Sequence, residues 1–198
     1  GPMRAVLLSL LSFALAAQDR PELFAPGVVS TGLYERDLAL SPDGREAFFS
    51  IMGGFSVIAF TRFEQGRWTA PRVAPFSGGP VFNAAISPDE RMLVFCAARR
   101  PGSLGPSDHW ISFRTPDGAW SEPRNLGAPF NGPGQQALAP SFSADGRTFF
   151  FATTRRTLAQ PGPRTYADIQ RERGLPGNGN GDVWRVDAKV LEAFAPQR

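Results

Sequence analysis

Ser41-Pro42-Asp43-Gly44-Arg45-Glu46-Ala47-Phe48-Phe49-Ser50 is one of three versions of the same stretch in this chain. The second runs from Ser87-Pro88-Asp89-Glu90 into Arg91-Met92-Leu93-Val94-Phe95-Cys96, and the third from Ser143-Ala144-Asp145-Gly146 into Arg147-Thr148-Phe149-Phe150-Phe151. Proline presets φ, the aspartate side chain accepts from the backbone just ahead of it, and glycine takes positive φ. Each S-x-D segment therefore predicts a tight turn, with Asp43, Asp89 and Asp145 as its structural residues. Apolar stretches flank every turn (Asp37–Leu40, Asn83–Ile86 and Ala139–Phe142 before it), so the unit reads as a hairpin of two core strands. A third strand is expected at residues 55–62, 108–114 and 182–188. A fourth is expected at 66–78 and 118–132, where Trp68 and Trp120 hold matching places 52 residues apart.

Four short antiparallel strands in roughly 45 residues describe one blade of a β-propeller. The chain is thus expected to be all-β, with blades of four antiparallel strands and about three blades per chain, a half or incomplete propeller. The blades span residues 35–78, 82–132 and 136–188, in a single domain from 17 to 198. The third unit lacks a fourth strand, because Lys189–Arg198 reads as a short helical turn. Pro21–Gly27 echoes the outer-strand stretch Glu122–Pro129, which predicts residues 21–30 as a closing strand that hides an unpaired edge.

The order S-P-D-G-x-x-x-x-F, then D-x-W, then G-x-W-x-x-P-x-x-L-G-x-P-x-N resembles the TolB-type β-propeller repeat of exported bacterial proteins. The resemblance covers residues 22–194 and implies the fold; it implies no single activity, because this repeat serves unrelated partners. Relatives of this kind carry more blades than three. Either a homodimer completes a six-bladed ring, or the chain is an open or decayed propeller.

Composition agrees with strands and turns. Seventeen Phe and four Trp supply apolar bulk, while 21 Gly and 19 Pro interrupt the chain too often for a helical bundle. The formal charge of +3 is spread without a basic cluster, which argues against nucleic acid as a partner. Gly1-Pro2 reads as a tag-cleavage remnant. Residues 3–16 read as a signal peptide: Arg4, the apolar run Ala5–Ala17 and the Ala14-Leu15-Ala16 cleavage pattern. Thirteen apolar residues are too few to cross a bilayer, so no membrane span is expected in the mature chain, which would be periplasmic or secreted. Cys96, the single cysteine, alternates with Met92 and Val94 and reads as a buried thiol.

Candidate binding residues gather where loops join second and third strands. The third such loop, about 30 residues long, is the first choice for a binding surface. Arg99, Arg100, His109, Arg155, Arg156, Tyr166 and Arg173 are the candidate ligand contacts, His109 being expected on an exposed loop. Two readings of the arginine pairs stay open: they hold an acidic ligand, or they pair with Asp108 and Asp182 and staple their own loops. Trp110 and Trp184 share a repeat position, as do Trp68 and Trp120, which favours packing over sugar stacking. Asn178, Asn180 and Asp182 offer oxygens for Ca²⁺ in a glycine-rich turn, though with one carboxylate in one copy. No cofactor and no catalytic residue follow from these patterns. The expected function is a non-catalytic binding or assembly module that recognises a protein, peptide or glycan on the channel face. The alternative is a sialidase-like glycoside hydrolase using Tyr166 and Glu172.

Overall fold

A computed structural model describes residues 20–159 and 164–196, so the expected tag remnant at 1–2, the signal peptide at 3–16 and cleavage near Ala16 lie outside the described residues. Three antiparallel sheets follow one another along the chain. The first holds β1 (Tyr34–Leu40), β2 (Glu46–Met52) and β3 (Val57–Glu64), with two short outer pieces on β3: β4 (Arg67–Trp68) and β5 (Arg72–Val73). The second is β6 (Val81–Ile86), β7 (Met92–Ala98), β8 (Ser107–Phe113) and β9 (Arg124–Asn125). The third is β10 (Ala137–Phe142), β11 (Thr148–Thr153) and β12 (Asp182–Asp187), with helix α1 (Tyr166–Arg173) inserted before β12 and a 3-10 helix, Ala188–Phe194, after it.

The turns are built alike three times. Ser41, Ser87 and Ser143 donate to Asp43, Asp89 and Asp145 at 2.6, 2.5 and 2.6 Å. The same serine oxygens accept the backbone N–H of Glu46, Met92 and Thr148 at 2.8–2.9 Å, and the aspartates accept from Arg45, Arg91 and Arg147. Gly44, Glu90 and Gly146 take positive φ of 71°, 60° and 70°. A second threefold feature has no common side chain. Asp37, Asn83 and Ala139, each four residues before the turn serine, all have positive φ, and each sits at a β-bulge in the first strand of its sheet.

Because strand side chains alternate, each sheet has a forward face and a rear face. Phe48 and Ile58 of the first sheet meet Leu93, Phe95 and Trp110 of the second. Val94 and Ile111 on the other side of the second sheet meet Phe149 and Phe151 of the third. Counted from the turn serine, Phe48, Val94 and Phe150 are one repeat position, looking forward; Phe49, Phe95 and Phe151 are the next, looking back. Linkers seal each rear face: Phe76 stacks on Phe95 at 4.7 Å, and Phe130 packs on Phe151 at 5.2 Å. Emptying one such site, as in Phe95→Ala, costs about 3–5 kcal/mol by the usual rule for buried aromatics.

Residues 21–30 depart from expectation. They form turns and bends with one isolated bridge, Pro26–Ser30, and do not pair with β12. Ala25 and Gly27 take positive φ, Val28 and Val29 both donate to the Ala25 carbonyl, and the prolines lack N–H groups to offer a strand. The segment instead covers the rear of the first sheet, with Val29, Val28 and Ala25 against Phe49, Ile51 and Ala59, and Phe24 edge-on to Trp68 at 5.5 Å. The outer strands are also shorter than expected, reduced to β4, β5 and β9 within 66–78 and 118–132.

Candidate functional site

The β2–β3, β7–β8 and β11–β12 connections lie at the end opposite the S-x-D turns. Their aspartates do not take the arginines expected of them. Asp108 accepts the N–H groups of Leu104 and Gly105 and the Asn125 amide, and Asp182 accepts the Gly177 N–H at 2.7 Å. A carboxylate opening a strand reaches backbone donors a few residues back at less entropic cost than it recruits a long side chain. The guanidinium groups go elsewhere. Arg100 lies over the Trp110 ring at 5.1 Å and donates to the Phe76 carbonyl at 2.7 Å. Arg155 lies over Trp184 at 5.1 Å. Trp110 and Trp184 are repeat counterparts, but the second arginine of the pair covers one and the first covers the other. Trp120 repeats the stack with Arg114 at 4.1 Å.

Arg156 explains the switch. It donates to the Asn178 and Ala159 carbonyls and to Glu172 of α1, while Glu172 also takes Arg164. Asn178 returns two bonds to the end of α1 through the Glu172 and Arg173 carbonyls. The long connection is therefore folded around Arg156, and a Thr165–Asp168 capping box starts its helix. The calcium reading meets the same bonds. Asn178 Oδ1 accepts the Asn180 N–H and Asp182 Oδ2 accepts the Gly177 N–H, so these oxygens hold the turn itself. Among the described residues no three His, Cys, Asp or Glu side chains gather as metal ligands. Tyr166 and Glu172 are six positions apart on α1, about 240° around the helix. Tyr166 is 72% exposed while Glu172 is held in ion pairs, so the two do not face a common substrate.

His109, expected on an exposed loop, is fully buried in β8. Its Nε2 lies 3.1 Å from the Leu138 carbonyl, its ring meets Phe151 edge-on, and Asn131 brackets its backbone on both sides. Burial pushes its pKa below the ordinary histidine value. Strand alternation could have placed it, since its counterparts Ile58 and Val183 are apolar. Asn125 and Asn131 were missed as site residues, yet they tie Asp108 to the next linker through a bond between their own amides at 2.7 Å. Cys96 is buried, as read from the sequence, and burial raises its thiol pKa.

The candidate surface thus divides. Arg100, Arg156 and His109 are built into the fold. The side chains of Arg99, Arg155 and Arg173 have no hydrogen bond or ion pair among the described residues, and Tyr166 stands exposed at the start of α1.

No family model matches the chain, and no curated protein matches it in sequence. Solved structures do match in shape. The putative TolB from Agrobacterium tumefaciens superposes with a TM-score of 0.52 at 17% identity, over 80% of this chain and 47% of the other. The fold is part of a β-propeller. TolB from Acinetobacter baumannii gives 0.48 at 18% identity over 81% and 31%, and the β-propeller domain of the Trilobed protease from Pyrococcus furiosus gives 0.44 at 13% over 80% and 40%. The chain spans less than half of each of these structures. Its three sheets correspond to three propeller blades, and β1, β6 and β10 are the first strands of each.

Proposed function

We propose that this partial propeller is an exported, non-catalytic binding module that takes an acidic segment of a partner protein or peptide at its connection-bearing end. One observation carries the reading: the guanidinium groups of Arg99, Arg155 and Arg173, on the β7–β8 and β11–β12 connections, have no acceptor among the described residues, Arg155 lying on the face of Trp184, beside arginines that the fold has already paired. Arginine forks suit carboxylates because two N–H groups match two oxygens. The apolar run Ala5–Ala17 supports export. The ordered helix α1, fixed through Arg156, gives one wall of the surface a defined shape.

The test is binding of Asp/Glu-rich peptides, with uronic-acid oligosaccharides as the competing class. The triple variant Arg99→Ala, Arg155→Ala, Arg173→Ala loses peptide binding roughly tenfold or more while its melting temperature stays within about a degree. Unchanged binding in that variant sinks the proposed surface, and binding confined to the oligosaccharides replaces the peptide with a glycan.

A further inference from the structure

Two loose ends of this chain are complementary. In the first two sheets the third strand carries an outer piece: Arg72–Val73 lies on Phe60–Ala59, and Arg124–Asn125 on Ile111–Trp110. A backbone bond follows each time, from Ala74 N–H to the Ile58 carbonyl and from Leu126 N–H to the His109 carbonyl. The third sheet has no such piece on β12 among the described residues. Its forward face is correspondingly bare. Val183 is 76% exposed, whereas its repeat counterparts Ile58 and His109 are fully buried; Phe150 is half-buried where Phe48 and Val94 are fully buried.

The other end holds the missing piece. Pro21–Val29 follows the same course as the linkers of the first two sheets: proline, two residues of outer strand, then apolar residues sealing the rear of the next sheet. Phe76 and Phe130 perform that sealing on Phe95 and Phe151, and Val29 performs it on Phe49. Residues 21–29 are thus seated on the first sheet as a linker from a preceding sheet would be. The strand part, Glu22–Leu23, is unpaired among the described residues, and Leu23 is 72% exposed. The rear-facing tryptophans agree. Trp120 meets Phe48 of the preceding sheet at 6.0 Å; its counterpart Trp68 meets Phe24 and Phe63, and the counterpart of Phe48 is Phe150 of the third sheet.

We infer that a second copy of this chain fills the bare forward face of the third sheet, its residues 22–24 pairing with the edge of β12 and its first sheet packing on Phe150 and Val183. The register carried over from the first two sheets sets Leu23 of the incoming copy opposite Trp184 and Glu22 opposite Arg185. The charges are complementary at that place alone: the equivalent outer-strand residues are Arg72 and Arg124, and their partners on the third strand are Phe60 and Ile111. Phe24 falls where Ala74 and Leu126 look forward, so it keeps its contact with Trp68 of its own chain. Applied twice about a two-fold axis, the contact closes six blades with no free edge.

The experiment is absolute mass in solution by light scattering, on the chain lacking residues 1–17, which leaves every described residue in place. Twice the monomer mass is expected. Val183→Asp yields monomer. Arg185→Glu weakens the assembly roughly tenfold or more by placing like charges across the strands, and adding Glu22→Arg restores it. Val183 and Arg185 are exposed in a single chain, so melting curves at monomeric dilution stay near that of the parent chain. A monomer throughout the micromolar range overturns the inference, as does a dimer indifferent to Val183→Asp. A ladder of larger masses overturns the two-copy closure. None of these readouts depends on the acidic-peptide reading.

Discussion

His109 occupies, as a polar residue, a place that isoleucine fills in the first sheet, and pH reports on it. Its folded pKa is depressed by burial, so the folded chain holds it neutral. As pH falls through the unfolded value of about 6.5, the unfolded chain takes up a proton that the folded chain refuses. Stability is therefore full above that value and declines below it. Melting temperature falls between pH 7.5 and 5, and His109→Gln flattens that slope. The turn aspartates act in a separate, more acidic window. The Ser41 hydroxyl and the Arg45 N–H hold Asp43 low. For Asp89 burial pulls upward, and the Ser87 hydroxyl with Arg91 outweighs it. Their contribution is present above about pH 4 and is lost as pH falls toward their folded values. A scan that shows a single transition in stability near pH 4, with none near 6.5, contradicts the assignment of His109 as buried and neutral.

The bulge in the first strand of each sheet tests the repeat at the level of one element. Asp37 and Asn83 are residues that tolerate left-handed backbone; Ala139, at φ 41°, is not. Ala139→Gly should raise the melting temperature by about 2–4 °C, the shift expected for roughly 1 kcal/mol in a domain of this size. A lowered melting temperature would mean that the bulge is absent in solution. The three bulges were illegible in the sequence because Asp, Asn and Ala share no chemistry; only the backbone repeats. The S-x-D turns were legible because the serine and aspartate bonds repeated in all three lie within five residues. The arginines fell between these cases. Their presence was visible, but the choice between Trp110 and Asp108 as partner depends on sheets brought together by packing. The threefold strand order and the echo of Pro21–Gly27 in Glu122–Pro129 were also legible, whereas the place of that segment was not, since its prolines and the positive φ of Ala25 and Gly27 turn it onto Phe49 and Trp68 of the first sheet.

At the scale of the molecule, protection against hydrogen exchange should follow how many neighbours a sheet has. The second sheet is covered on both faces, and Leu93–Cys96 is fully buried. Its β7 amides should exchange slowest. Amides of β12 should exchange faster than those of β8, its counterpart in the second sheet, when the protein is dilute. That gap should narrow with concentration if copies associate. Equal protection in β8 and β12 at every concentration would show that something within one chain already covers the third sheet.

In the first two sheets an outer piece follows the third strand, while among the described residues the third sheet lacks one and residues 21–29 lie on the first sheet as the first two linkers lie on the second and third. Duplicating a whole unit inside the gene would therefore lengthen the arc without altering either terminus of it. Under the inferred two-copy closure, the complementary ends are inherited intact at any copy number, and the size of the ring changes by recombination before any interface residue has to evolve.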